Sequence, residues 1–135
     1  MDHVTPLARS KIMAAVKSKD TGPELAIRRA LHRRGYRYAL HSPDLPGKPD
    51  LVFRPRRKII FVHGCFWHGH HCKKGRLPNT RLDFWYAKIE ANRERDKRIL
   101  RTLRKTGWSV MTVWQCQTRE MDKLVEKIAK FLESS

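Results

Sequence analysis

Apolar residues recur along the chain in blocks whose spacing separates helices from strands. Between residues 22 and 34, Leu25, Ile27, Ala30 and Leu31 are available to one buried helical face. The lead-in Asp20-Thr21-Gly22-Pro23-Glu24 suits a helix start, because proline fits the first turn and an acid favours the positive end of the helix dipole. Gly35 is a natural stop. Residues 36–41 read as a strand, residues 42–48 as a turn rich in Pro and Gly, and residues 51–53 and 58–62 as two more strands joined by a basic turn. Thr80 can cap a long helix from Arg81 to about Lys105, ended by Gly107. Residues 108–114 alternate as a strand. Residues 120–132 form an amphipathic helix with Met121, Leu124, Val125, Ile128 and Leu132 inward, and residues 7–17 a short basic helix with Ile12, Met13 and Val16 on its apolar side. The order helix, three strands, helix, strand, helix predicts one α/β domain over residues 1–135, with a sheet flanked by helices.

Charge narrows the partner. Lys and Arg total 30 against 13 Asp and Glu, a formal net charge of +17, where solubility asks for a magnitude of only about 2–8. Such a surplus implies a polyanionic partner, nucleic acid first. Apolar residues make up 40 % of the chain, enough for a core but too mixed with charge for a membrane span. No apolar run near the N-terminus suggests export. Three cysteines, Cys65, Cys72 and Cys116, do not read as a disulfide framework. Together these predict a reducing, cytoplasmic setting without membrane contact.

The densest chemistry lies in His63-Gly64-Cys65-Phe66-Trp67-His68-Gly69-His70-His71-Cys72, with four of the seven histidines and two of the three cysteines. Zinc favours a tetrahedron of such ligands. The three cysteines can supply three sulfurs, and one histidine must complete the set; His70, in a Cys-x4-His-x-Cys arrangement, could turn back toward the same ion. Cys116 would then lie beside the loop in space. Three thiolates and an imidazole close the shell, so the site is structural and holds a long loop in one shape.

A second centre is carried by Leu45-Pro46-Gly47-Lys48-Pro49-Asp50, which puts one carboxylate at the start of an apolar strand. Phe61 and His63 share a face of the next strand by alternation, and Asp50 can meet that face. An Asp in this place either closes a turn or holds Mg²⁺, which takes hard oxygen ligands, often one or two carboxylates plus phosphates. On the long helix Trp85, Lys88 and Asn92 fall at i, i+3 and i+7, a candidate groove-reading stripe, leaving Leu82, Tyr86 and Ile89 for the core. Phe66 and Trp67 either cover the zinc or enter a base stack as wedges.

The chain resembles the very short patch repair (Vsr) endonucleases over essentially its whole length. The resemblance rests on Arg9-Ser10-x-x-Met13, Glu24, Leu45-Pro46-Gly47-Lys48-Pro49-Asp50, and Phe61-Val62-His63-Gly64-Cys65-Phe66-Trp67-His68 with His70 and Cys72. It continues through Thr80-Arg81-x-x-Phe84-Trp85-x-x-Lys88-Ile89-x-x-Asn92-x-x-Arg95-Asp96, Gly107-Trp108 and Val113-Trp114-Gln115-Cys116. It implies a restriction-endonuclease-like, PD-(D/E)xK-type mixed sheet flanked by helices, with a structural zinc site. Here Phe61-Val62-His63 stands where such folds often carry a second acid and a lysine. The implied substitute is a backbone carbonyl, that of Val62, as the second Mg²⁺ ligand beside Asp50. The resemblance further implies His68 as general base, His63 near the scissile phosphate, and Glu24 assisting the metal–water network. Zinc falls to Cys65, His70, Cys72 and Cys116, with His71 left over.

It also implies DNA wedging by Phe66, Trp67 and Trp85, with Lys88, Asn92 and Met13 reading a T·G mismatch, and residues 1–19 as a DNA-contacting segment. The implied act is one cut 5′ of a mispaired thymine left by 5-methylcytosine deamination. The implied setting is a bacterial cytoplasm at the nucleoid, acting as a monomer, linked to a cytosine-5 methyltransferase, a repair polymerase and mismatch-repair proteins. Two other readings stay open on the residues alone: a non-enzymatic zinc module that binds nucleic acid, and a restriction enzyme that cuts both strands of matched DNA.

Overall fold

The computed structural model describes residues 22–65, 68, 70 and 81–134. The helix expected at residues 7–17, with Met13, and the residues Phe66, Trp67, His71, Cys72 and Thr80 lie outside the described residues. Helix α1 (Gly22–Arg33) starts on Gly22-Pro23-Glu24 as its sequence suggests. Its end is set by Gly35, whose φ of 94° suits a residue without Cβ. The N–H groups of Gly35 and Tyr36 donate to the carbonyls of His32 and Leu31 at 3.0 and 3.1 Å, the paired bonds of a Schellman motif. Ile27, Ala30 and Leu31 are buried, and so is the charged Glu24 on the same face.

Strands β1 (Ala39–Leu40), β2 (Leu51–Phe53), β3 (Lys58–His63) and β4 (Ser109–Trp114) form one sheet in the order β1-β2-β3-β4. The first three pair antiparallel, and β4 runs parallel to β3. A parallel neighbour needs a long crossover, here helix α2 (Leu82–Lys105), whose 24 residues span roughly 36 Å. A 3₁₀ segment (Gln115–Glu120) leads into helix α3 (Met121–Glu133). The expected order of elements holds. Strand β1 is shorter than the expected 36–41, because the Tyr36 N–H is taken by the Leu31 carbonyl at the helix end and the chain turns out of the strand at His41, φ 47°.

Alternation along β2 and β3 makes two cores. Leu51, Phe53 and Ile60 pack with Ile27 and Leu31 of α1 and with Leu124, Ile128 and Leu132 of α3. Val52, Ile59 and Phe61 point the other way, against Leu103 of α2 and Trp108. All of β2 is therefore buried, as expected of a strand covered on both faces. Lys58 at the start of β3 is also buried. Its Nζ donates to the Leu132 carbonyl at 3.3 Å and to the Ser134 Oγ at 2.8 Å, and also meets the carbonyls of Phe131 and Ser134. A cation thus satisfies the carbonyl end of α3.

On α2 the stripe that faces inward differs from the expected one. Leu82 and Tyr86 are exposed, whereas Trp85 and Ile89 are buried. Trp85, Ile89, Asn92, Asp96, Ile99 and Leu103 follow one another at steps of four and three, so the inward face carries an amide and an acid between its apolar members. No helix among the described residues is long and apolar enough to cross a membrane.

Candidate active site

Asp50 precedes β2, at the point where the antiparallel ladder with β3 stops. Val62 therefore has no backbone partner from β2, and its N–H donates to Asp50 Oδ2 at 2.6 Å. The N–H and C=O of one strand residue point to the same edge, so the Val62 carbonyl shares the edge that meets Asp50. The turn before Asp50 rests on α2: at Gly47, φ 77°, a Cβ would come within 2.8 Å of the Ile99 side chain. Only a residue without that atom lets the turn lie so close.

Asp50, Phe61, Val62 and His63 line a cleft of about 1070 Å³ together with His68 and Asp96. Lys48, Arg93, Arg95 and Lys97 lie around the same cleft. His63 and His68 stack with centroids 3.8 Å apart and planes 3° from parallel. His68 Nδ1 lies 2.5 Å from Asp96 Oδ2. Burial pushes the Asp50 carboxyl up to about 6, with Glu24 adding to the rise and the Val62 N–H and His41 opposing it. Burial also holds the His63 imidazole down at about 4, helped by His68 and opposed by Asp96. His63 is thus a neutral ring at pH 7, and its Nδ1 makes no hydrogen bond among the described residues.

The third cluster follows from strand register. His63 of β3 is paired with Trp114 of β4, and the strands are parallel. Cys65 and Cys116 each lie two residues past that pair, so both chains leave the sheet side by side. Backbone bonds from His68 to Gly64 at 3.3 Å and from His70 to Cys65 at 2.9 Å turn the segment back. The donor atoms of Cys65, His70 and Cys116 consequently lie within 4.8 Å of one another. Cys116 Sγ and His70 Nδ1 are 3.6 Å apart. Bonds of about 2.3 Å to sulfur and about 2.0–2.1 Å to nitrogen at a tetrahedral angle put such a pair about 3.6 Å apart, so the spacing of Cys116 and His70 is compatible with two ligands of one zinc ion. Trp114 separates this cluster from the cleft, stacking on His70 at 4.3 Å and meeting His63 edge-on at 5.4 Å.

Of the expected site residues, Asp50, Val62, His63 and His68 come together in the cleft, and Cys65, His70 and Cys116 come together behind it. Glu24 lies against Asp50 itself, whose carboxyl it helps to raise, and also meets His41, whose Nε2 lies 2.9 Å from Glu24 Oε2. Lys88 is exposed, Asn92 half-buried and Trp85 buried. Two members of the site, Asp96 and His41, were not singled out as functional from the sequence. Asp96 had a signal, an acid at a core-facing position of an amphipathic helix. His41 had only its place at the end of an expected strand.

An α/β fold with an acid and a histidine pair in one cleft, beside a cysteine–histidine cluster and under a basic rim, defines an enzyme built for a polyanionic substrate. The model of the family described as DNA mismatch endonuclease Vsr matches residues 1–74. The chain is 50 % identical over 134 residues to the type II nicking enzyme V.XorIIP of Xanthomonas oryzae pv. oryzae, covering 99 % of this chain and 98 % of that protein. It is 42 % identical over 119 residues to the DNA mismatch endonuclease Vsr of Escherichia coli K12, covering 88 % and 76 %. It is 41 % identical over 118 residues to the type II nicking enzyme V.NmeAIP of Neisseria meningitidis serogroup A, covering 87 % and 84 %. The chain belongs to the Vsr family, and it is a DNA endonuclease.

Proposed function

We propose that this endonuclease nicks one strand of duplex DNA 5′ of the thymine of a T·G mismatch, using Mg²⁺ at Asp50 and the Val62 carbonyl and a structural zinc held by Cys65, His70, Cys72 and Cys116. The observation that carries the chemistry is the meeting of Asp50 with the His68–Asp96 pair in one basic-rimmed cleft. When bound, Mg²⁺ supplies Lewis acidity for the phosphodiester and stabilises the leaving oxygen. The Asp50 carboxyl is oriented for a cation by the Val62 N–H on its other oxygen. Asp96 fixes Nδ1 of His68 as the donor nitrogen, which leaves Nε2 as the acceptor for a proton of the attacking water. His63, held neutral, offers the phosphate a hydrogen-bonding ring rather than a second cation. Lys48, Arg93, Arg95 and Lys97 steer and hold the DNA backbone.

The cut leaves a 3′-hydroxyl and a 5′-phosphate, the ends that very short patch repair needs. Mismatch choice rests on Phe66, Trp67 and Trp85 as wedges and on Met13, Lys88 and Asn92 as readers, because unstacking costs less at a mispaired step. The fold class is restriction-endonuclease-like, the zinc holding the segment that carries His68. The enzyme acts as a monomer in the bacterial cytoplasm, downstream of a cytosine-5 methyltransferase and upstream of a repair polymerase and mismatch-repair proteins. The deciding experiment incubates the protein and Mg²⁺ with duplexes carrying one T·G pair in varied flanks, beside matched controls. One cut in the thymine strand supports the reading. Cleavage of both strands of matched duplex would make it a restriction enzyme instead.

A further inference from the structure

Glu24 is 2 % exposed, and a buried carboxyl is costly unless it is paired and put to use. Its Oε2 meets Arg28 one turn along α1 at 3.2 Å and His41 at 2.9 Å. The other ring nitrogen of His41, Nδ1, lies 3.8 Å from Asp50 Oδ1. Donor atoms of Glu24, His41 and Asp50 all lie within 4.8 Å of one another.

The placement of His41 follows from the sheet. β1 pairs with β2 so that Leu40 faces Leu51, and the next pair along is His41 with Asp50. The His41 N–H donates to the Asp50 carbonyl at 3.2 Å, which ties the two backbones directly. Residues opposite each other in an antiparallel pair carry their side chains side by side. At His41 the chain leaves the strand with φ 47°. The ring is thereby left against the carboxyl opposite it, with its far nitrogen on Glu24.

We infer that His41 is a positioning residue of the reaction centre: its ring spans Glu24 and Asp50 and fixes the Glu24 carboxyl where it serves the cation held by Asp50. The inference rests on the reading of Asp50 as a metal ligand. At 3.8 Å the contact with Asp50 Oδ1 is longer than a hydrogen bond. The Glu24 contact is within that distance, as a close approach of ring nitrogen to carboxylate rather than an aligned hydrogen bond. His41 therefore sits closer to Glu24 than to Asp50 and leaves the Asp50 oxygen able to turn to a cation. A tie that served the fold alone would not need to join a buried acid to one that lines the cleft, since apolar groups of equal size often replace buried ion pairs without loss.

The test measures Mn²⁺ binding by electron paramagnetic resonance on the zinc-loaded full chain without DNA, for wild type, Asp50→Ala, His41→Ala and His41→Gln. Single-turnover nicking is then titrated with Mg²⁺. Partners that orient metal ligands are worth about 10–100-fold in metal affinity. His41→Ala is expected to weaken Mn²⁺ binding by about that factor and to raise the Mg²⁺ needed for half-maximal nicking in parallel, with the rate largely restored at saturating metal. His41→Gln, which keeps a polar side chain facing Glu24, should recover part of the loss. Should His41→Ala lose its near-UV dichroism, His41→Gln and wild type carry the comparison. Binding within twofold of wild type in the folded His41 variants, with binding lost in Asp50→Ala, overturns the role of His41 alone. Binding retained in Asp50→Ala overturns the metal reading and this inference with it.

Discussion

Asp96 Oδ2 lies 2.5 Å from His68 Nδ1, so an acid on the long helix orients an imidazole in the segment that follows β3. The pair explains why an acid stands on the inward face of the helix among Trp85, Ile89, Ile99 and Leu103. Asp96→Asn keeps the shape but can present an amide N–H to Nδ1, which favours the wrong tautomer for a base at Nε2. General-base catalysis is worth about 10²–10⁴-fold. Asp96→Asn should therefore slow single-turnover nicking by about 100-fold or more while DNA affinity and melting temperature stay near wild type. A rate within threefold of wild type would remove Asp96 from the mechanism.

Asp50 and His63 should tilt the pH dependence of stability in opposite directions. The Asp50 carboxyl is raised from 3.8 to about 6, so between these values the folded chain holds more protons than the unfolded one. Its contribution then falls as pH rises through that window, by on the order of 3 kcal/mol in all. His63 is lowered from 6.5 to about 4, so the unfolded chain holds more protons there. Its contribution is present above pH 6.5 and lost as pH falls toward 4. In magnesium-free buffer Asp50→Asn should match wild type near pH 4 and become more stable above pH 6. His63→Asn should be least harmful at the acid end. Denaturation midpoints from pH 4 to 8 measure both, and a gap between Asp50→Asn and wild type that ignores pH would refute the account. Asp50→Asn should also abolish nicking, which separates its chemistry from its stability.

The cysteine–histidine cluster makes a prediction about composition. A closed set of four donors holds about one zinc per chain, and structural zinc supplies folding free energy directly. Cys116→Ala leaves Cys65 and His70 in place but opens the set. It should lower the zinc content measured by plasma mass spectrometry, lower the melting temperature and expose the chain to protease. A full zinc complement in Cys116→Ala would exclude that residue as a ligand.

Much of this was legible in the chain, and the exceptions have physical causes. Gly35, Pro23 and the β2–β3 pattern announced their elements because turn chemistry and two-faced burial act locally. Cys65, His70 and Cys116 were legible by residue type, but their meeting depends on the parallel register of His63 with Trp114, a long-range pairing that no local pattern encodes. His41 was invisible for the same reason, since only the β1–β2 register sets it opposite Asp50. The inward face of α2 was misjudged because Leu82, Trp85, Tyr86 and Ile89 are all apolar there. Only farther along, at Ile99 and Leu103, does the stripe continuing from Trp85 declare itself.

That stripe yields the last prediction. Trp85 is the expected wedge, yet in the protein without DNA it is 7 % exposed, with its ring 5.0 Å edge-on from Phe84. A wedge standing in solvent would cost nothing to truncate in the free enzyme, whereas a buried indole replaced by alanine costs about 3–5 kcal/mol. Trp85→Ala should therefore lower the melting temperature of the free protein by roughly 10 °C. Tyr86→Ala, at 60 % exposure one residue away, should not. If Trp85 also enters DNA it must first leave this packing, and stopped-flow tryptophan fluorescence on mixing with a T·G duplex should then show a step slower than encounter. That step should be missing in Trp85→Phe and present in wild type. A melting temperature unchanged by Trp85→Ala would mean that the buried ring contributes nothing to the stability of the fold.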